Sequence, residues 1–482
     1  MINRISTAFL VLLVTATAFT QDRPNVLFIA VDDLRPELAT YGASVKTPNI
    51  DRLAASGVRF DRAYCQQAVC GASRLSLMGG LYPTRTGEQT YHVDGWRKRH
   101  PDLLTLQQYF GQQGYFTSGM GKIYHGSSGV GVDESNWDEW QVPKAEKYAL
   151  EESMAVAKAK LAANPKLTSK DVRGTTTEMA DVADEVYTDG IVAVEAAKTL
   201  RRLAEQEKPF FFAVGFIKPH LPFVAPKKYW DLYDRGDFSM PTNLAVPPGY
   251  PSYAANPSAG EMRSYSDYEG KSPLDFSDDL NKRLLHGYAA CVSYTDANVG
   301  KVLAALDESG LSENTIVVFW GDHGWKLGDH SSWCKHTNFE VDTRVPLIMR
   351  KPGGADGIAC KSLVELIDLY PTLCDLTGLP VPEHVQGSSF ASLLDNPAAP
   401  HREAAYSSYP HREHVGHSIR VGDFRYTEWY EKGKGDEPVV QVLTDLAADP
   451  GEVTNSVGDP SYAGDLGMAE NLLRERMAAA VE

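Results

Sequence analysis

Three stretches of the chain are apolar at nearly every position rather than alternating: residues 25–31, 209–216 and 314–320. Continuous apolar runs of strand length predict strands buried on both faces, as in a parallel sheet covered by helices. A shorter run over residues 114–119 predicts a fourth strand. Between the runs, residues 189–203 and 284–306 repeat apolar positions at helical spacing, the second stretch ending near Gly310. Pro48, just after Thr47, suits the first turn of another helix. The expected fold is α/β, a doubly wound domain around a large mixed sheet.

The texture changes from about residue 401. Residues 418–429 alternate and turn like antiparallel strands, and a helical stretch closes the chain. We therefore expect a main domain over 22–398 and a smaller antiparallel α+β subdomain over 399–482. Two stretches break the pattern. Residues 144–166, rich in Ala, Lys and Glu, predict a solvated helical insertion without chemistry. Residues 231–273, rich in Pro, Tyr, Ser and Gly, predict an irregular surface excursion.

A chain of 482 residues is too long for one compact core, which agrees with two packed units. Lys and Arg number 47 against 63 Asp and Glu, a net charge of −16 that argues against nucleic acid as a partner. An anionic substrate would need a locally basic pocket. Residues 1–18 have the form of a signal peptide: basic Arg4, an apolar stretch over 8–14, and Ala16-Thr17-Ala18 as a cleavage site. The apolar stretch is too short for a membrane span, so export to the periplasm or beyond is expected. The six cysteines are Cys65, Cys70, Cys291, Cys334, Cys360 and Cys374, and their pairing is left open.

Each apolar run ends in residues that carry chemistry. The first delivers Asp32-Asp33, adjacent carboxylates at the end of a strand where open α/β sheets bind ligands. Their mutual repulsion invites a hard cation, although a helix-capping pair would read the same way. The 114–119 run leads to Lys122 and His125, a cation and an imidazole suited to an anion, or else a solvated lysine and a structural histidine. The 209–216 run delivers Lys218-Pro219-His220, where flanking prolines stiffen the loop that aims the imidazole. The 314–320 run leads into Gly321-Asp322-His323-Gly324-Trp325, with Lys335 nearby. Between the first two lies Cys70-Gly71-Ala72-Ser73-Arg74. If a helix begins there, Cys70 sits at its positive N-terminus and Arg74 shares its face. By itself that cysteine could equally be a buried or disulfide-bonded one.

Cys70–Arg74 resembles the C-x-P/A-S-R motif of the type I sulfatases, whose cysteine is oxidised after synthesis to formylglycine (3-oxoalanine). Gly121-Lys122-Ile123-Tyr124-His125 and Gly321–Trp325 resemble further sulfatase motifs, and the K-P-H-x-P-F string at 218–223 resembles the iduronate-2-sulfatase branch. The resemblance spans nearly the whole chain after the signal and implies an alkaline-phosphatase-like fold. In that family the hydrated aldehyde attacks sulfur, and its second hydroxyl then expels sulfate.

Carried over residue by residue, it implies Cys70 as nucleophile, with Arg74 stabilising it and His125 orienting it. Asp32, Asp33, Asp322 and His323, with residue 70, would hold a calcium ion (Ca2+). Lys122 and Lys335 would bind sulfate oxygens and His220 would protonate the leaving oxygen. His323 stands where much of the family has Asn, as in the iduronate-2-sulfatase branch. Two departures concern the stretch read by the formylglycine-generating maturase: Ala72 replaces proline, and Met78-Gly79-Gly80-Leu81 replaces L-T-G-R.

The implied substrate is a sulfated saccharide, a 2-O-sulfated uronic acid of an anionic polysaccharide. Lys218 and the Arg97-Lys98-Arg99-His100 turn are candidate cations for its carboxylate. Two other readings stay open. One is a phosphate mono- or diesterase of the alkaline phosphatase superfamily. The other is a non-catalytic binder of sulfated glycans, should Cys70 not be matured.

Overall fold

The computed structural model describes residues 23–91, 93–126, 132–168, 171–268, 270 and 273–482. The N-terminal stretch read as an export signal lies outside these residues. In chain order the strands of the main domain are β1 (Asn25–Val31), β2 (Val58–Tyr64), β3 (Phe116–Gly121), β4 (Glu139–Gln141), β5 (Thr177–Ala180), β6 (Phe210–Phe216), β7 (Phe223–Pro226), β8 (Thr315–Gly321), β9 (Arg344–Arg350) and β10 (Ile358–Glu365). Eight of them form one sheet in the order β10-β2-β9-β8-β1-β6-β3-β4, and β5 pairs with β7 separately. β1 runs parallel to both β6 and β8, while β9 is antiparallel to β8 and β2. The sheet is therefore mixed, as expected.

Helices cover both faces. The main ones here are α1 (Pro48–Ala55), α2 (Cys70–Gly79), α3 (Thr188–Leu203) and α4 (Asp278–Glu308). Leu27, Ile29 and Val31 of β1 pack in one core with α1, α3 and α4. Val26, Phe28 and Ala30 pack on the opposite face with Leu75, Leu77 and Met78 of α2. A strand buried on both sides has no polar face to show, which is why its sequence does not alternate. β2 had no such signature: it mixes Arg59, Asp61 and Arg62, all partly buried, with buried apolar residues. α4 starts earlier than its periodicity predicts, at Asp278, because its first turn is polar. The Ser277 side chain caps it, accepting from the Leu280 amide at 3.2 Å.

A second sheet, β11 (Ala404–His411), β12 (His414–Val421), β13 (Phe424–Glu431) and β14 (Val440–Asp445), is antiparallel throughout. The terminal helix α5 (Ala463–Ala479) packs Ala469 and Leu473 into a core that this sheet shares with Tyr82 and Ile367. It is joined to the main domain by buried ion pairs, among them Arg425 with Glu340 at 2.5 Å. All six cysteines are free and buried. Among the described residues, no helix is long and apolar enough to cross a membrane.

Candidate active site

The site lies at the carboxyl ends of β1, β3, β6 and β8. Parallel register sets Val31 beside both Phe216 and Gly321, so the next residues emerge side by side. The Asp32 amide donates to Phe216 O and the Asp322 amide to Val31 O, each at 3.2 Å. Asp33 takes a left-handed backbone (φ 57°), a conformation Asp tolerates, and its amide donates to Asp322 Oδ1 at 3.0 Å. Lys122 follows Gly121, whose backbone crosses so close to Gly215 that a Cβ would lie 2.1 Å from the Gly215 oxygen. Only glycine fits there.

Cys70 is the first residue of α2 and is buried. Four residues on, Arg74 faces the same way. Its Nε donates to Asp322 Oδ2 at 2.8 Å, its Nη2 lies 3.3 Å from Asp32 Oδ1, and its Nη1 donates to the Lys122 and Ile123 carbonyls. Ser73 Oγ donates to Asp322 O at 2.6 Å. The start of α2 is thereby fixed to the β8 end by both side chains.

Around Cys70 the sequence-predicted residues converge. His323 Nε2 lies 3.1 Å from Cys70 Sγ, 3.5 Å from Asp33 Oδ1 and 3.6 Å from Asp322 Oδ2. Its Nδ1 donates to Gly324 O at 2.8 Å; a carbonyl only accepts, so in the neutral ring the Nε2 lone pair faces the carboxylates. Ligand atoms of Asp32, Cys70, Asp322 and His323 all fall within 4.8 Å of one another, as do those of Asp32, Asp33, Cys70 and His220. Both sets can hold a metal ion. His220 as a member of one set was not foreseen.

Lysines close the ring. Lys122 Nζ is paired with Asp32, and Lys335 Nζ lies 2.8 Å from Asp33 Oδ1 and 3.4 Å from Glu261 Oε1. His220 Nδ1 donates to Leu221 O at 2.7 Å, turning Nε2 toward Glu261 (3.5 Å) and Asp33 (3.8 Å). Lys218 steadies this loop by donating to the carbonyls of His220 (2.9 Å) and Pro222 (2.7 Å). His125 stands at the edge. It makes no hydrogen bond to Cys70, and its Nδ1 is buried without a partner among the described residues.

The electrostatics report a centre short of positive charge. Burial pushes the Asp33 carboxyl well above the usual range; Lys335 opposes the rise and the nearby Asp32, Glu261 and Asp322 add to it. For Asp32 burial works in the same direction, but Lys122, His220 and Arg74 outweigh it and hold the carboxyl well below. Burial, with Asp32 beside it, raises the Cys70 thiol well above its ordinary value. His220 is lowered to about 3 by burial, against the pull of Glu261 and Asp32. Three buried carboxylates with an imidazole lone pair among them suit a hard divalent cation, which would let Asp33 ionise.

Three expectations need correction. Lys218 is not available to a substrate anion, because its ammonium is occupied by two carbonyls. In the basic turn at 97–100 three of the four cations are likewise occupied, Arg97 with Asp133 and Arg99 and His100 with Glu88, while Lys98 is exposed. Nor is the 231–273 excursion merely surface, since it brings Glu261 against Lys335 and His220. No motif marked Glu261, a lone acid in an unpatterned stretch.

Comparison with known proteins agrees with this architecture. A family model described as Sulfatase matches residues 24–379, and one described as N-sulphoglucosamine sulphohydrolase, C-terminal, matches 328–479. The chain is 34% identical to iduronate 2-sulfatase of Homo sapiens, over 85% of this chain and 86% of that protein. It is 30% identical to a sulfatase of Formosa agariphila, over 94% and 86%. Among solved structures, a phosphonate monoester hydrolase of Agrobacterium radiobacter aligns with TM-score 0.73 at 25% identity, over 95% of this chain and 96% of that one. An enzyme solved with its substrate D-glucosamine-2-N,6-O-disulfate aligns with TM-score 0.74 at 23% identity, over 95% and 98%, and speaks for the fold alone. The chain belongs to the sulfatase family, the sulfuric ester hydrolases.

Proposed function

We propose that this protein is an exported sulfatase acting on a sulfated sugar, a 2-O-sulfated uronic acid of an anionic polysaccharide. The observation that carries the chemistry is the convergence of Cys70, Asp32, Asp33, Asp322 and His323, with Lys122, Lys335 and His220 around them. Support for the uronate comes from the K-P-H-x-P-F string, from His323 and Trp325, and from the identity to iduronate 2-sulfatase. Export rests on the signal-like residues 1–18.

Asp32, Asp33, Asp322, His323 and residue 70 would hold a divalent cation, which we assign as calcium. Bound there, it supplies Lewis-acid polarisation of a sulfate oxygen. A buried cysteine whose thiol stays protonated is a poor nucleophile; matured to formylglycine by a maturase, residue 70 supplies the attacking oxygen. Arg74 holds the start of α2 against Asp322, fixing where residue 70 points. Lys122 and Lys335 bind the remaining sulfate oxygens. His220 has its Nδ1 proton engaged by Leu221 O, so its Nε2 must first take up a proton, favoured by Glu261 beside it, before it can pass that proton to the leaving oxygen. His125, at the edge of the site with an Nδ1 unpartnered among the described residues, is our candidate to orient the matured residue 70.

A second reading, hydrolysis of phosphate or phosphonate monoesters, draws on the likeness to the phosphonate monoester hydrolase. The test is to compare 2-O-sulfated uronate oligosaccharides with galactose and N-acetylglucosamine sulfates and with an aryl phosphonate. Preference for the uronate is expected. Preference for a neutral sulfated sugar overturns the uronate assignment but leaves a sulfatase, and turnover of the phosphonate alone overturns both.

A further inference from the structure

A cavity of about 440 Å³ opens beside the site, with Lys122 and His220 in its wall. Its volume falls within the range of small-molecule pockets, roughly 300–1,000 Å³. Lys122, Lys218 and Lys147 are the lysines that line it. Lys122 is paired with Asp32, and Lys218 donates to two carbonyls. Lys147 differs. It is exposed at the rim, and no carboxylate among the described residues lies within ion-pair distance of it.

Its ammonium sits 5.9 Å from the Tyr265 ring centroid, on the side where Arg173 meets Tyr265 Oη at 3.3 Å. The acids lining the cavity are Glu146 and Asp189, and Asp189 already accepts from the Ile217 and Lys218 amides. Burial of its ammonium end, with Lys218 and Arg173 close by, lowers Lys147 to about 8 against the pull of Glu261. Such a group, facing a cavity that borders the reacting centre, is placed to take an anion from the substrate.

We propose that Lys147 recognises a second anionic group of the substrate, the carboxylate on the sugar whose sulfate is removed, and is a specificity-determining residue. This rests on the uronate reading above. It also gives a role to the 144–166 stretch, whose sequence offered none.

The experiment uses two 2-O-sulfated sugars that differ only in the carboxylate, a uronate and its carboxyl-reduced counterpart, with the wild-type enzyme, Lys147→Gln and Lys147→Arg. We expect the wild type to favour the uronate. Lys147→Gln should raise KM for the uronate about tenfold, the loss of one charge-assisted hydrogen bond, with kcat unchanged and the reduced sugar unaffected. Lys147→Arg should keep most of the preference. If the wild type prefers the uronate and Lys147→Gln alters both substrates equally or neither, the Lys147 assignment is wrong while the uronate reading stands. If the wild type shows no preference, the uronate reading fails and this inference with it.

Discussion

Arg74 Nε lies 2.8 Å from Asp322 Oδ2, and neither side chain reaches solvent. This pair ties the first turn of α2, and so residue 70, to the end of β8. Removing one partner of a buried pair strands the other charge, at a cost of about 3–5 kcal/mol. Arg74→Ala should lose that much unfolding free energy in urea denaturation. A loss of well under 1 kcal/mol would show that the pair does not hold the site together.

The carboxylate cluster predicts dependence on a divalent cation. Chelation should abolish hydrolysis and lower Tm, and calcium should restore both. Free calcium at 100 times its Kd would stabilise the fold by about 2.7 kcal/mol. Asp322→Asn should blunt the response in activity and in Tm. Activity that survives both chelation and Asp322→Asn would contradict a metal at this position.

His220 makes a prediction about leaving groups. Its Nε2 faces Glu261 and Asp33 from a loop stiffened by two prolines and by the Lys218 bonds. General acid catalysis matters most when the departing oxygen is basic. His220→Ala should therefore reduce turnover of sulfated sugars by about a hundredfold or more and that of activated aryl sulfates far less. Equal losses on both would take His220 out of that role.

At the junction with the second sheet, Glu452 is buried against Arg425 and the Glu340 amide. Burial raises its carboxyl to about 8, with Arg425 opposing the rise and Glu340 adding to it. A carboxyl raised on folding is held protonated in the native state. Its contribution to stability is fully present below its ordinary value near 4.5 and is lost as pH rises through about 8. Between those limits the unfolding free energy of the wild type, relative to Glu452→Gln, should fall by up to about 1.4 kcal/mol per pH unit. Parallel pH profiles for the two proteins would contradict this.

Much of this was legible in the chain because strands buried on both faces leave continuous apolar runs, and those runs end in site residues. Asp32, Lys122, His220 and Asp322 each follow such a run, and the parallel register of β1 with its neighbours brings them together. β2 was not legible, since its partly buried Arg59, Asp61 and Arg62 interrupt the apolar residues without a clean period. Glu261 escaped for a different reason. It reaches the site from an irregular stretch, where only the folded path of the chain sets its neighbours. The same holds for Lys147, whose place beside the cavity no local pattern could signal. Lys218 shows the converse: a cation in the right motif, already occupied by backbone carbonyls.

The account turns on residue 70, and the most direct measurement is the mass of the peptide containing it, taken from preparations of graded sulfatase activity. Formylglycine is lighter than cysteine by the difference between a CH2SH and a CHO group. We predict that the fraction of peptide at the lighter mass rises in proportion to specific activity, and that Cys70→Ala, though folded, releases no sulfate. Full activity in a preparation whose Cys70 peptide carries only the unmodified thiol would contradict the account.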